Sequence, residues 1–252
     1  MAARRELAPG SVEAADVTAG RVEPHYARVL TRLLAAHAIA EKLTALGYQG
    51  ALGCVLNPAL RPIIEKNLAE ERKHARLVYG ALEELGINEV HADRLMIPAL
   101  KAPSFAAPRR FAEHAADELG LVMASISLDM TGLIMIGINY KDSSYAPHAR
   151  AAEVILAEEE DHEIFASSEL RVAAGRFGPE PVNAALCDWL PSAVNFFGPP
   201  GSGFTYDCIR YGLKARDNQE LAELYLSLLE RRVQQAGLAM PRLTPGYPHA
   251  LA

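Results

Sequence analysis

Glu71-Arg72-Lys73-His74 and Glu159-Glu160-Asp161-His162 are two copies of one pattern, Glu-x-x-His. On a helix, positions i and i+3 share a face, so each pair aims a carboxylate and an imidazole at one point. Each pair is preceded by a carboxylate at the same distance. Glu41 lies thirty residues before Glu71, and Asp129 lies thirty before Glu159. A two-metal carboxylate site in a four-helix bundle needs this set: one carboxylate from each of two helices, and a Glu-x-x-His from each of the other two.

Whether the four segments can converge depends on where the chain turns. In a hairpin of antiparallel helices, residues level with each other are equidistant from the turn. Midway between Glu41 and Glu71 is residue 56, beside Asn57-Pro58; midway between Asp129 and Glu159 is residue 144, inside Lys141–Pro147. Both are strong turn signals. The spacing predicts helices over about Pro24–Tyr48 and Ala59–Leu85, the second closing at Gly86. Two more are predicted over about Arg109–Asn139 and Pro147–Arg176. Between the hairpins, Pro98, Pro103 and Pro108 interrupt a stretch long enough to cross the bundle from end to end. The expected fold class is all-α, a ferritin-like four-helix bundle over residues 23–180. A flexible arm, 1–22, is expected before it, and a C-terminal helical extension, 181–252, after it. In the extension, helices are expected around Val182–Phe196 and over about Tyr206–Gln235, with an extended tail from Pro241.

Composition agrees. Half of the 252 residues are hydrophobic but only 7% are aromatic, so the core must be built from Ala, Leu, Ile and Val, which favours helices. The richest apolar run, around Leu119–Ile138, carries Asp129 at its centre and reads as a buried helix rather than a membrane span. A net charge of −6 without a basic block argues against nucleic acid. The three scattered cysteines fit a reducing compartment, and no apolar leader is seen, so the expected location is cytoplasmic.

The six candidate ligands are Glu41, Glu71, His74, Asp129, Glu159 and His162. Four carboxylates would balance two divalent ions, and two imidazoles add a nitrogen to each while leaving positions open for O₂. Glu71 and Glu159 are the natural bridging pair. Glu158–Asp161 alone could be a solvated acidic face, and Glu41 alone a surface carboxylate. Asp129 is harder to dismiss, because an unpaired carboxylate among Ile126, Leu128, Met130 and Leu133 would be costly. Glu70, Glu158 and Glu160 lack a His at i+3 and read as supporting or surface groups. Glu118 is a weaker helix-three candidate, His37 reads as packing or hydrogen-bond support one turn before Glu41, and Tyr79 as a packed tyrosine. No role is expected for His25, His91, His114, His148 or His249.

Several stretches resemble the catalytic subunit of the ring-1,2-phenylacetyl-CoA epoxidase, in the phenylacetate-catabolism branch of ferritin-like di-iron oxygenases. His37-Ala38-Ile39-Ala40-Glu41 is similar to its His-Ala-x-x-Glu, and the Asp of helix three to its Asp. Tyr145-Ala146-Pro147-His148-Ala149-Arg150 is similar to Tyr-Gly-Pro-Tyr-Ala-Arg. Trp189-Leu190-Pro191-Ser192 and Phe197-Gly198-Pro199-Pro200 are similar to the stretch after its fourth helix. Arg72-Lys73 departs from the small residues of that family. The resemblance implies an O₂-dependent di-iron monooxygenase acting on an aromatic or unsaturated substrate, such as an acyl-CoA thioester. It implies two iron ions (Fe/Fe, with Mn/Fe as the alternative), a separate reductase as electron donor, and a non-catalytic paralogue subunit or a homodimer. The competing readings are a biosynthetic tailoring hydroxylase on a non-CoA substrate, a ferroxidase or iron-handling protein, and a structural subunit that has kept its ligands.

Overall fold

Proline and glycine punctuation divides the chain into helices much as expected, and the differences lie in where neighbours override it. The computed structural model describes residues 7–114 and 117–241. The bundle consists of α2 (Pro24–Cys54), α3 (Arg61–Glu83), α6 (Glu118–Ile134) and α7 (Ala146–Phe177). A short α1 (Ala14–Thr18) precedes it, and α4 (Glu89–Met96) and α5 (Ala106–Glu113) form the crossover. The extension is α8 (Pro179–Phe196), α9 (Gly203–Arg210) and α10 (Asn218–Gln235). No strand occurs among the described residues; the fold is the expected all-α, ferritin-like one. Both hairpin turns, 55–60 and 141–145, fall at the predicted midpoints.

Helix α2 runs six residues past its predicted end, and its 31 residues span about 46 Å. Gly47 lies within it. A Cβ there would lie 2.2 Å from Cδ1 of Phe111, so the glycine lets α5 lie directly on α2. Tyr48 beside it meets the Phe111 ring edge-on at 5.1 Å.

The single helix expected over 109–139 is instead two. His114 leaves helical geometry after α5, and α6 restarts with Asp117 accepting a hydrogen bond from the Gly120 amide at 2.7 Å. Asp117 is a strong N-cap residue, which the apolar periodicity concealed. At its other end α6 widens into a π-helical segment, Met135–Tyr140, with the Lys141 amide reaching the Ile136 carbonyl at 3.0 Å. Helix α6 with this segment is long and apolar enough to cross a membrane, yet it is mostly buried inside the bundle and carries Asp129.

Residues 7–22, expected as part of a flexible arm, are tied down. The Gly10 and Val12 amides bond to the carbonyls of Ser143 and Ser144 at 2.8 and 2.9 Å, and the Ala146 amide bonds back to Val12 at 2.8 Å. The hairpin turn leaves these groups without partners of its own, and the arm supplies them. The helix expected over 206–235 is also split. Gly212 (φ 69°) breaks it and Asp217 caps α10 through the Gln219 amide at 2.9 Å. Here the Asn139 side chain accepts from the Ala215 and Arg216 amides, fixing the loop to the end of the π segment. The tail expected beyond Pro241 lies outside the described residues from 242 on.

Candidate metal centre

The i, i+3 spacing of α3 and α7 does what a helix requires. Glu71 and His74 on α3, and Glu159 and His162 on α7, turn into the bundle centre together with Glu41 of α2 and Asp129 of α6. Relative exposures are 0% for His74, 1% for Glu71 and His162, 2% for Asp129 and 3% for Glu159. His74 Nδ1 lies 3.7 Å from Glu41, 3.9 Å from Glu71 and 3.6 Å from Glu159, while His162 Nδ1 lies 3.4 Å from Glu71. Two overlapping groups result. Ligand atoms of Glu41, Glu71, His74 and Glu159 all fall within 4.8 Å of one another, as do those of Glu71, Asp129 and His162. Glu71 belongs to both groups, the position a bridging carboxylate takes.

Four buried atoms here have no hydrogen-bond partner: Glu71 Oε2, Glu159 Oε2, His74 Nδ1 and His162 Nδ1. Native interiors rarely leave such groups unsatisfied without a reason, and an ion between them is the simplest one. Each imidazole is also set in the right tautomer. Its Nε2 meets a carboxylate at 2.9 Å, Glu158 for His74 and Glu70 for His162, so Nε2 carries the proton and the Nδ1 lone pair faces the centre. The residues present therefore fit a pair of metal ions.

The supporting carboxylates are exchanged between helices. The residue before Glu159 holds the histidine of α3, and the residue before Glu71 holds the histidine of α7. Lys73 pairs with Glu158 and Lys66 with Glu70 at 3.1 Å, so each chain ends on a surface ammonium. Exchanging Glu158 or Glu70 for Gln is expected to weaken binding of the ion at the adjoining histidine roughly 10–100-fold. Competitive Co(II) titrations of the two variants check this, and unchanged affinity in both would remove the supporting role.

Crowding four carboxylates in a dry site shifts their protonation. Burial, reinforced by the charge of Glu41, pushes Glu71 well above the usual carboxylate range; burial and the charge of Glu71 do the same to Glu159. Burial also raises Asp129, against the opposing effect of His162 and the Tyr48 and Ser125 hydrogen bonds, leaving it at about 6. Burial would raise Glu41 too, but the hydrogen bond from His37 and the nearness of the His74 ring outweigh it and hold this carboxyl low. In the metal-free protein the raised groups bind protons more tightly folded than unfolded. Their contribution is complete below the unfolded carboxylate range and is lost as pH rises through the folded values. Metal ions need the ionised groups, so loading acts in the opposite sense. The Tm difference between metal-loaded and chelator-stripped protein should widen from about pH 5 to about pH 8. Scanning calorimetry of both forms tests it; a gap that narrows with pH would contradict the assignment.

Some residues at the site were not foreseen from sequence. Tyr48 donates its hydroxyl to Asp129 at 3.1 Å, is within 3.1 Å of Ser125, and accepts from Asn67 at 3.2 Å. The signal was present: Tyr48 lies two turns after Glu41 and Asn67 one turn before Glu71. His148, expected without role, is fully buried, and its Nε2 lies 3.1 Å from Nδ1 of His37; Nε2 of His37 in turn meets Glu41 at 2.8 Å. Gly132, one turn after Asp129, leaves the space that Glu159 occupies, since a Cβ there would fall 2.7 Å from Glu159 Oε2. Glu118 pairs with Arg176 at the bundle's end, and Tyr79 donates to Asp93 on α4, so neither reaches the centre.

The cavity beside the candidate ligands is small, about 20 Å³, and is walled by Ala40, Thr44, Leu128, Gly132 and Phe196. A larger cavity, about 470 Å³, lies elsewhere on α2, lined by Arg28, Arg32, His91, Leu95, Met96 and Ala99. Thr31 on its edge lies ten residues before Glu41, about 15 Å along the helix.

Compared with known proteins, the sequence matches the family model described as Phenylacetic acid catabolic protein over residues 22–247. No curated protein matches it significantly. Among solved structures, protein 19 with aldehyde deformylating oxidase activity from Synechococcus is similar, with a TM-score of 0.66 and 16% sequence identity. The match covers 85% of this chain and 92% of that one. At that identity the likeness is one of fold.

Proposed function

The chain belongs to the phenylacetic acid catabolic protein family and is a ferritin-like oxidoreductase, and from that premise we propose that it is a di-iron monooxygenase. Its substrate would be an aromatic or unsaturated compound carried as an acyl-CoA thioester. The observation that carries this reading is the set of unsatisfied buried atoms on Glu71, His74, Glu159 and His162, flanked by Glu41 and Asp129. Bound there, two iron ions would supply reductive activation of O₂, with one oxygen atom going to the substrate and the other leaving as water. The balance requires two electrons, from a separate reductase, and two protons.

The protein's own groups do the rest. Glu71 and Glu159, which lie between the histidines, would hold the ions from the middle of the site, and Glu41 and Asp129 would hold them from its outer sides. Tyr48 fixes Asp129, and His37 fixes Glu41, so the outer carboxylates keep one orientation as charge changes. The apolar walls leave room for little water beside the centre, which would limit side reactions there. Arg28 and Arg32, one turn apart and without a carboxylate partner among the described residues, offer the charge that a phosphorylated carrier needs. Full retention of the six ligands favours a catalytic subunit over a structural one. Lys73 is engaged with Glu158 of α7 and Arg72 with Gln49 of α2 at 2.9 Å, so the two residues that depart from the family's small pair are turned to different helices.

Anaerobic loading with Fe(II), followed by a chemical reductant and ¹⁸O₂, tests the reading with phenylacetyl-CoA and with its free aromatic counterpart. One ¹⁸O atom in the CoA-bound product is the expected result. Label only in the free compound would make the protein a tailoring hydroxylase. Continued Fe(II) oxidation without an organic product would make it a ferroxidase.

A further inference from the structure

Of the nine residues around the small cavity at the metal ligands, Phe196 alone comes from outside the four bundle helices. Helix α3 packs closely on α7, but α2 and α6 meet at few points, so the centre is open between them. At the level of the ligands the gap is lined by two i, i+4 pairs of short or apolar residues, Ala40 with Thr44 and Leu128 with Gly132. The Thr44 hydroxyl is committed to the Ala40 carbonyl at 3.0 Å. No other side chain in the walls carries a polar group, apart from the metal-ligand carboxylates. The slot is thus a place for an uncharged, apolar group. Its remaining volume, about 20 Å³, has room for a water or an O₂ but not for an aromatic ring. The Phe196 ring takes up the space that a substrate would need.

We propose that Phe196 is the specificity-determining residue of this centre: its ring swings out of the α2–α6 slot when an uncharged planar group enters, and its size sets which groups fit. The backbone around it is fixed. Phe197 is buried against Tyr225 of α10 with ring centroids 5.9 Å apart, and the Gly198 amide closes α8 on the Asn195 carbonyl at 2.9 Å. Asn218 of α10 holds the Pro199 carbonyl at 2.9 Å. Phe196 itself is half-buried at the margin of the core, and its ring contact with Phe197 is T-shaped, at 6.2 Å. Its ring can therefore turn without moving the helix, and two side-chain torsions suffice.

This inference rests on the oxygenase reading for its relevance to turnover, but its test does not. Co(II)-loaded wild type, Phe196→Ala, Phe196→Leu and Phe196→Trp would be compared after metal content and Tm are matched. The readout is the change in the Co(II) absorption spectrum on titration with phenylacetamide and with the larger 1-naphthylacetamide. Opening the slot by one ring should tighten the naphthyl ligand about tenfold or more in Phe196→Ala, less in Phe196→Leu, and should weaken both ligands in Phe196→Trp. Affinities within twofold across the series would overturn the proposal. If either small variant loses metal or stability, the other and Phe196→Trp still decide it. Failure of the oxygenase reading looks different: the affinities follow residue 196 while no variant yields an O₂-derived product.

Discussion

Gly132→Ala is expected to empty the metal centre while leaving the helices intact. In the native protein the face of α6 one turn beyond Asp129 is bare, and Glu159 Oε2 occupies the space. A methyl group would sit 2.7 Å from that oxygen and 3.0 Å from the carboxyl carbon, closer than non-bonded carbon and oxygen tolerate. Glu159 cannot retreat far, because His74 is 3.6 Å from its other oxygen and the surroundings are packed. The carboxylate must rotate away, and one ion loses a ligand. The backbone effect has the opposite sign. Gly132 lies inside α6, where alanine is favoured over glycine by about 1 kcal/mol. The metal-free variant should therefore be no less stable than metal-free wild type, whereas metal content should fall from two ions per chain to one or fewer. Element analysis after anaerobic loading, beside thermal melts of the stripped proteins, separates the two effects. Two tightly held ions in the variant would mean that Glu159 is not a ligand.

The second large effect concerns the extension. Glu163 follows His162 directly, is buried to 4% exposure, and receives both Nε and Nη2 of Arg232 on α10, at 2.7 and 3.1 Å; Ser167 adds a third hydrogen bond at 2.6 Å. Arg232→Met would keep most of the packing but leave a carboxylate in the core without its counter-ion. Breaking a buried pair from one side costs about 3–5 kcal/mol, and the lower end applies because the Arg232 side chain is 29% exposed. Adding Glu163→Gln should restore a large part, since the orphaned charge is then gone. Denaturant unfolding of the single and double variants measures the coupling. A loss below about 1 kcal/mol for Arg232→Met would show that the pair holds the extension no more firmly than an exposed ion pair does.

What could be read from the sequence was whatever depends on helical periodicity and loop position. The two Glu-x-x-His pairs, the carboxylates thirty residues ahead and the two turns at residues 56 and 144 are all local properties, and together they specify the bundle. Asp129 was preferred to Glu118 on the midpoint alone, and Glu118 indeed lies at the bundle's end, beside Arg176. What was hidden depended on neighbours distant in sequence. Gly47 resembles a helix breaker until Phe111 is seen to occupy its missing Cβ position. His148 looks like a residue at a helix start, and only the fold of the bundle, which brings α7 across from α2, places it at His37. The arm at 7–22 has no periodicity, because it is held by backbone hydrogen bonds to the turn at 143–146 and these leave no side-chain pattern. Phe196 belongs to a stretch that reads as the end of a helix; its place over the candidate ligands follows only from how α8 folds back on α6.

The central claim is that six side chains from four helices hold two ions as one coupled unit. Mössbauer spectroscopy of protein loaded anaerobically with ⁵⁷Fe and then oxidised, together with iron analysis, tests it most directly. The account predicts two irons per chain with a diamagnetic ground state, as expected when two neighbouring ferric ions are antiferromagnetically coupled. One iron or fewer per chain, or two irons with the signature of isolated high-spin ions, would contradict it.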